Sequence, residues 1–474
     1  MLTLNDILEA LTGQRPAKAS LVISEACIDS RQVIPGALFI ALAGEKVDGH
    51  DFVDQALQGG AALALVQRDL SAQYPTIDLR SGNLPDEYQQ PESPACILVK
   101  DSLQALQEIA RFWRRKLDLR VIGITGSVGK STTKELVTEV LKSRYHSLKN
   151  IGNLNNEIGL PLTILRLGEG HERAVLEMGF FVLGEIKFLC DIALPQVGVI
   201  TNIGTVHAER AGSQESIARG KSELIQSLPA APEGIAVLNY DDPFVRPMAE
   251  LTDAKVFYYG LSPEADLWAD EIIGMGLDGI RFRLHHKNEV LHLRVPLIGR
   301  HSVHTALRAA AVGLVEGCSW AQIIDGLQHG STSQLRLAAV HTKDGALLLD
   351  DTYNASPQST LAALNLLSEI EGRRIAVLGD MLELGPYEAK GHIMVGVRAA
   401  EVCNQLIAVG ELSRTTAQAA RQAGMSARKI QWFATVPEAI EYLQGRLQKR
   451  DVVLVKGSRG LEMERITAAL EASS

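Results

Sequence analysis

The chain has 474 residues, too many for one hydrophobic core, and at roughly 100–200 residues per domain the expectation is three domains. A formal net charge of −9 argues against a broad nucleic-acid surface, so any anionic ligand must be held by a local site and not by the global field. The longest apolar stretches, such as 61–66 and 452–455, fall far short of the ~18 residues of a membrane helix, so no membrane insertion is expected. The opening residues lack the positive segment of a signal peptide. Cys27, Cys96, Cys190, Cys318 and Cys403 never form a CxxC pair and read as reduced packing thiols of a cytoplasmic protein.

In chain order, the first hundred residues mix short strands (21–28, 37–41, 62–66, 96–99) with a helix over 49–58. Residues 69–94 are polar and carry Pro75, Pro85, Pro91 and Pro94, which reads as a surface excursion before a domain border. A helix beginning near Asp101, with Leu106, Ile109 and Trp113 on one face, leads to the strand 120–125. Strands at 174–176, 197–201 and 235–238 then alternate with helices, the pattern of a parallel sheet covered on both faces. Between Asp266 and Val295 the apolar period changes to two, which predicts a small antiparallel patch, and a helix follows over 301–316. After 330–333 the alternation restarts with strands at 346–349, 374–378, 406–409, 430–433 and 452–455. The fold expected is α/β in three domains. Residues 1–98 form a small α/β unit, 99–330 a P-loop-type and mostly parallel sheet, and 331–474 a Rossmann-like doubly wound unit.

The strongest local signal is Thr125-Gly126-Ser127-Val128-Gly129-Lys130-Ser131-Thr132, where an apolar strand runs into a glycine loop that opens a helix. Glycines let backbone N–H groups close on phosphate oxygens, and the helix N-terminus adds its positive dipole end. Lys130 can reach β- and γ-phosphates, and the Ser131 hydroxyl can ligate Mg²⁺. The strict spacing has glycine where Ile124 stands. Glu177 ends an apolar strand and reads either as a metal-binding acid or as a solvated strand-end carboxylate. His207 follows another strand and Lys221 begins a helical stretch; taken alone, a structural histidine and a surface lysine are the default readings. Asn153, Asn155 and Asn156 offer paired amide donors and acceptors, or a turn rich in residues that tolerate left-handed backbone. Asp351, Tyr353, Asn354 and Ser356 gather after a strand, where Pro357 suits the start of a helix.

Together these motifs resemble the Mur ligase family over nearly the whole chain. The resemblance is carried by Asp29-Ser30-Arg31, Pro35–Leu42 and Asp48-Gly49-His50, then the 125–132 loop and Asn153-x-Asn155-Asn156-x-x-Gly159-x-Pro161. It continues through Glu177-Met178-Gly179, Asp351-x-Tyr353-Asn354-Ala355-x-Pro357, the 378–385 motif and Lys456-Gly457-Ser458-Arg459. The set is most similar to the branch that attaches D-alanyl-D-alanine to the terminal carboxylate of UDP-N-acetylmuramoyl-tripeptide in peptidoglycan precursor synthesis.

The resemblance implies ATP and two Mg²⁺ ions, one at Ser131 and Glu177, the other at Glu177, His207 and a carbamylated Lys221. It assigns Ser30 and Arg31 to the UDP-sugar and Asn153, Asn155 and Asn156 to the substrate. Thr305, Arg336 and Asp351 go to ATP, and Tyr353, Asn354 and Ser356 to the incoming dipeptide, with Lys130 as catalytic cation. A cytoplasmic monomer is expected. The chain departs from the family at Ser302 and Thr305, where asparagine is usual and the later one helps recognise adenine. Residues 69–94 also look longer than the family norm. A ligase with another amino acid or acceptor is the alternative within the family; a P-loop ATPase or small-molecule kinase is the alternative outside it. The asparagine cluster and the strand-end cluster favour a ligase, because a kinase has no need of a third substrate site.

Overall fold

The computed structural model describes the chain apart from residues 17–20, 45–46, 86–87, 90–91, 206–207, 330–337, 343 and 472–474. Three sheets organise it, and each expected domain contains one. The first runs in the order Ala26–Cys27, Leu38–Ile40, Leu63–Val66, Ala95–Leu98, Thr76–Asp78, all parallel. The polar excursion is therefore not all loop. Thr76–Asp78 pairs with Cys96–Leu98 as the sheet edge, directly after Pro75, where a proline costs no ladder bond. Conversely, the strand expected over 21–28 shrinks to Ala26–Cys27.

The central sheet has nine strands. Its parallel part orders Lys255–Gly260, Ile235–Asn239, Val197–Ile200, Arg120–Thr125, Arg173–Glu177 and Ser147–Lys149. Leu267–Gly274 adds in parallel to Lys255–Gly260, and Ile280–His286 and Glu289–Val295 follow antiparallel. The antiparallel patch is thus an extension of the same sheet. Burial explains why the middle strands read as unbroken apolar runs. Val121, Ala174 and Leu176 enter the core on one face, while Ile122, Ile124 and Val175 enter the core on the other. The strands at 147–149 and 255–260 escaped the sequence reading because half-buried positions blur their periodicity.

Helix Ser102–Lys116 joins the first two units as a shared beam. Its N-cap is Asp101, its inner face carries Leu106, Ile109 and Trp113, and three basic residues fill its last turn. Trp113 Nε1 donates to Leu167 O at 2.9 Å, and buried Arg114 donates to Ala193 O, Leu117 O and Leu119 O. Lys116 reaches Asp6 of the first helix, Leu4–Thr12, at 2.7 Å. One continuous apolar core consequently spans both units.

The third sheet orders Ala338–His341, Leu347–Asp350, Asp451–Lys456, Arg373–Gly379, Gln405–Val409, Ile430–Phe433. All pairs are parallel except the first, an antiparallel edge strand that the sequence did not announce. Ile375 and Val377 face one apolar core, Ala376 and Leu378 the other. Among the described residues no helix is long and apolar enough to cross a membrane, and the five cysteines are buried and unpaired.

Candidate active site

Strand Arg120–Thr125 lies between two parallel neighbours, so its C-terminal end opens into the crevice where parallel sheets take ligands. Gly126 follows at φ +144°, and a Cβ there would overlap the Thr201 hydroxyl; no other residue fits. Gly129, at φ +84°, caps helix Lys130–Lys142. The loop between them is braced from the next strand end. Asn202 Oδ1 accepts from Val128 N at 3.1 Å, and Asn202 Nδ2 and Thr201 Oγ1 donate to Val128 O at 3.0 and 2.8 Å. Ser127 N donates to Asn202 O at 2.9 Å, and Gly204 N donates to Ser127 Oγ at 2.8 Å. Lys130 Nζ folds back onto Gly126 O at 2.9 Å.

Glu177, at the end of strand Arg173–Glu177, is 2% exposed. Asn155 Nδ2 donates to its Oε1 at 2.9 Å; Oε2 is buried without a hydrogen-bond partner. Fully buried Asn150 anchors the same stretch, accepting from Glu177 N and donating to Glu177 O and Leu154 O. Lys221 is 1% exposed on helix Gln214–Gln226, with its ammonium nitrogen 4.8 Å from the Phe180 ring centre. Burial, reinforced by Lys130, pushes its pKa well below the ordinary lysine range against the pull of Glu177 and Glu185. A buried carboxylate oxygen without a partner, near a lysine whose ammonium form burial disfavours, fits a divalent cation site. Among the described residues no three His, Cys, Asp or Glu side chains converge on one point. His207 and Arg336 lie outside the described residues.

The loop opens into a cavity of about 520 Å³ whose opposite wall belongs to the third unit. Asp351, Asn354 and Ser356 line it, with Lys456, which ion-pairs with Asp351 at 2.8 Å and donates to Asn354 O at 2.8 Å. From the central unit come 127–132, Asn202, His301, His304, Thr305 and Arg308. His301 keeps an accessible face, yet the protein packed around it, with His304, Arg308 and Lys456 nearby, holds its imidazole down at about 4. His304 Nε2 meets Asp241 Oδ2 at 2.9 Å.

Several residues predicted from the sequence have structural employment. Asn156 Oδ1 accepts from Gly159 N at 2.9 Å at the start of helix Gly159–Leu165, and Ser356 closes a capping box with Ser359 at the start of Pro357–Glu369. Asn153 and Tyr353 are exposed, with Arg459 over the Tyr353 ring at 5.5 Å. Ser30 Oγ donates to Gln55 Oε1, and Arg31 forks onto Asp29, both outside this cavity. Sequence reading missed Asn150, Asn202 and Arg308. Asn202 alone left a signal, an amide directly after a strand end opposite the loop.

Family models match in three consecutive segments: the Mur ligase family catalytic domain over 22–114, the Mur ligase middle domain over 124–313 and the Mur ligase glutamate ligase domain over 335–459. The UDP-N-acetylmuramoyl-tripeptide–D-alanyl-D-alanine ligase of Bacillus subtilis is 33% identical over 99% of this chain and 98% of its own length. The chain belongs to the Mur ligase family. The Escherichia coli ligase of the same description is 32% identical to this Mur ligase, again over 99% and 98% of the two chains. Among solved structures, MurF from Acinetobacter baumannii superposes with a TM-score of 0.83 at 31% identity, covering 99% of this Mur ligase and 98% of that chain. The MurF ligase of Thermotoga maritima in complex with ADP gives 0.79 at 28% identity, covering 96% and 99%. This Mur ligase is therefore a ligase enzyme with a mixed α/β, three-domain fold.

Proposed function

We propose that this enzyme joins D-alanyl-D-alanine to the terminal carboxylate of UDP-N-acetylmuramoyl-tripeptide at the expense of ATP, releasing ADP and phosphate. The observation that carries the reading is the placement of the 125–132 loop and the Asp351–Lys456 pair on opposite walls of one cavity. Such a cavity can hold ATP between two units and bring a third substrate to it, which a simple kinase does not need. The specific substrates rest on the full-length similarity to ligases of that description. Residues 1–98 would hold the UDP-sugar through Ser30 and Arg31, residues 99–330 would bind ATP, and residues 331–474 would close over ATP and dipeptide. The setting inferred is a cytoplasmic monomer.

In this reading the backbone of 125–132 cradles the phosphates, and Lys130 exchanges Gly126 O for phosphate oxygens. Thr305 faces the nucleotide, with Asp351 reaching it from the third unit; the family resemblance would add Arg336 to the same ligand. The tripeptide carboxylate attacks the γ-phosphorus in line, giving an acyl phosphate and ADP. The neutral amine of D-alanyl-D-alanine then attacks the acyl carbon, the C–O bond to the phosphate breaks as the amide forms, and the amine's surplus proton leaves with the departing phosphate. Tyr353, Asn354 and Ser356 would border the dipeptide, and Asn153, Asn155 and Asn156 the muramoyl peptide.

Ser131 and Glu177 would hold one Mg²⁺, and Glu177, His207 and Lys221 a second. An ammonium cannot ligate a cation. A neutral Lys221 amine can take up CO₂ and release a proton, becoming an anionic carbamate, and its lowered pKa supports that. Bound there, Mg²⁺ supplies Lewis-acid stabilisation of charge on phosphoryl and acyl oxygens. The test is phosphate release from ATP with UDP-N-acetylmuramoyl-tripeptide, with and without D-alanyl-D-alanine. Dipeptide-dependent turnover and a product containing the dipeptide are expected. Turnover indifferent to the dipeptide would overturn the assignment.

A further inference from the structure

Arg308, in the wall of this cavity, pairs with no carboxylate among the described residues, and its guanidinium carbon lies 5.8 Å from the centre of the Tyr259 ring. Arg308 stands on helix Val303–Val315 and is 3% exposed. Its Nε donates to Thr133 Oγ1 at 3.0 Å and its Nη2 to Thr305 Oγ1 at 2.8 Å, while Nη1 has only long contacts of 3.4 Å to Thr201 O and Tyr259 Oη. Every one of these acceptors is neutral. Among the described residues no carboxylate pairs with the guanidinium, whereas Lys456 in the same cavity is paired with Asp351. A buried cation without a counter-charge is strongly unfavourable, so the arrangement makes sense where an anion completes it. The position names that anion's chemistry. A Cβ on Gly129 would come 3.1 Å from Arg308 Nη2, which puts the guanidinium beside the residue where the glycine loop turns into its helix.

We propose that Arg308 is a nucleotide-binding residue that adds a positive charge to the polyphosphate site, a proposal that rests on the ATP reading of the cavity. A planar guanidinium is suited to phosphate oxygens in a way a point charge is not. Thr305 acquires a role at the same time. Its hydroxyl oxygen accepts from Nη2 and so positions Arg308, at a place where the family resemblance leads one to expect a base-reading amide. Arg308 and Thr305 together shift the grip on the nucleotide from base toward phosphate.

The experiment is calorimetric titration of ATP, paired with thermal melting of the unliganded protein, for the wild-type chain, R308M and R308K. The proposal expects ATP Kd to rise at least about tenfold in R308M and by a smaller factor in R308K, as the loss of a charge-assisted contact implies. Unliganded R308M should melt at least as high as the wild type, because an uncompensated buried charge is gone. R308M binding ATP within about twofold of wild type would overturn the proposal, since a tenfold change is the least a phosphate contact predicts. Should R308M fail to fold, R308K decides: weakened ATP binding supports the proposal, and unchanged binding assigns Arg308 a purely structural role. A wild-type chain that binds no ATP would instead overturn the nucleotide reading of the whole cavity, a separate outcome.

Discussion

Asn155 Nδ2 donates to Glu177 Oε1 across 2.9 Å, and the other carboxylate oxygen, Oε2, is buried with no partner of its own. The amide thus fixes the carboxylate's rotation, and under the proposed function the other oxygen is the one that would take Mg²⁺. N155A should lower activity by about 10–100-fold, the usual cost of losing a residue that orients a metal ligand, with an increased Mg²⁺ requirement. Steady-state rates across a Mg²⁺ titration check this. An unchanged Mg²⁺ dependence would mean that Asn155 contacts substrate and does not orient Glu177.

Lys221 is buried against Phe180 and disfavours its ammonium form. K221A should lose nearly all activity, and added formate or acetate should partly restore it by supplying the missing carboxylate-like ligand. Rates measured with and without these anions are the check; activity close to wild type in K221A would remove its role.

Asn202 holds both the N–H and the carbonyl of Val128. N202A leaves the Val128 N–H without its side-chain partner, while Thr201 Oγ1 still holds the carbonyl, a loss on the order of 1 kcal/mol at a half-buried position. The loop should loosen, so the KM for ATP should rise about tenfold while the KM for the peptide substrate stays nearly constant. Equal changes in both constants would point to general destabilisation.

Asp6 tests the joint between the first two units. Burial opposes its charge, but hydrogen bonds from Lys116, Thr3 and Arg15 outweigh that and hold its pKa at about 2, below the ordinary 3.8. A depressed carboxylate pKa gives stability that is present above about 3.8 and lost as pH falls from there through about 2. D6N should therefore be less stable at neutral pH by on the order of 1–2 kcal/mol, and the difference from wild type should vanish near pH 2. Denaturant melts at several pH values read this directly.

The glycine loop, the strand–helix alternation and the three-unit organisation were legible because they depend on local rules. Gly126 and Gly129 answer to backbone sterics, and apolar runs such as Val121–Ile124 answer to burial on two faces. The edge strands Thr76–Asp78 and Ala338–His341 were not legible, since an edge needs neither strong periodicity nor β-branched residues, only a neighbour to pair with. The asparagine cluster shows the same divide at side-chain level. Asn153, Asn155 and Asn156 look alike in the sequence, and packing alone sends Asn155 to Glu177 and Asn156 to a helix start.

The sequence by itself therefore determined that a glycine loop runs from a strand into a helix at 125–132, that this chain is built like a Mur ligase, and which acids and lysines are candidates for its chemistry. Tertiary structure alone decided which of them meet. Glu177 and Lys221 are 44 positions apart in sequence, yet both are buried and the carboxylate's charge acts on the lysine, Lys456 crosses back to Asp351, and Arg308 arrives beside Gly129 with no carboxylate partner among the described residues. The physical reason is that local sequence governs backbone conformation and solvent preference, whereas the electrostatic partner of a buried charge is set by whatever the folded chain brings within a few ångströms of it.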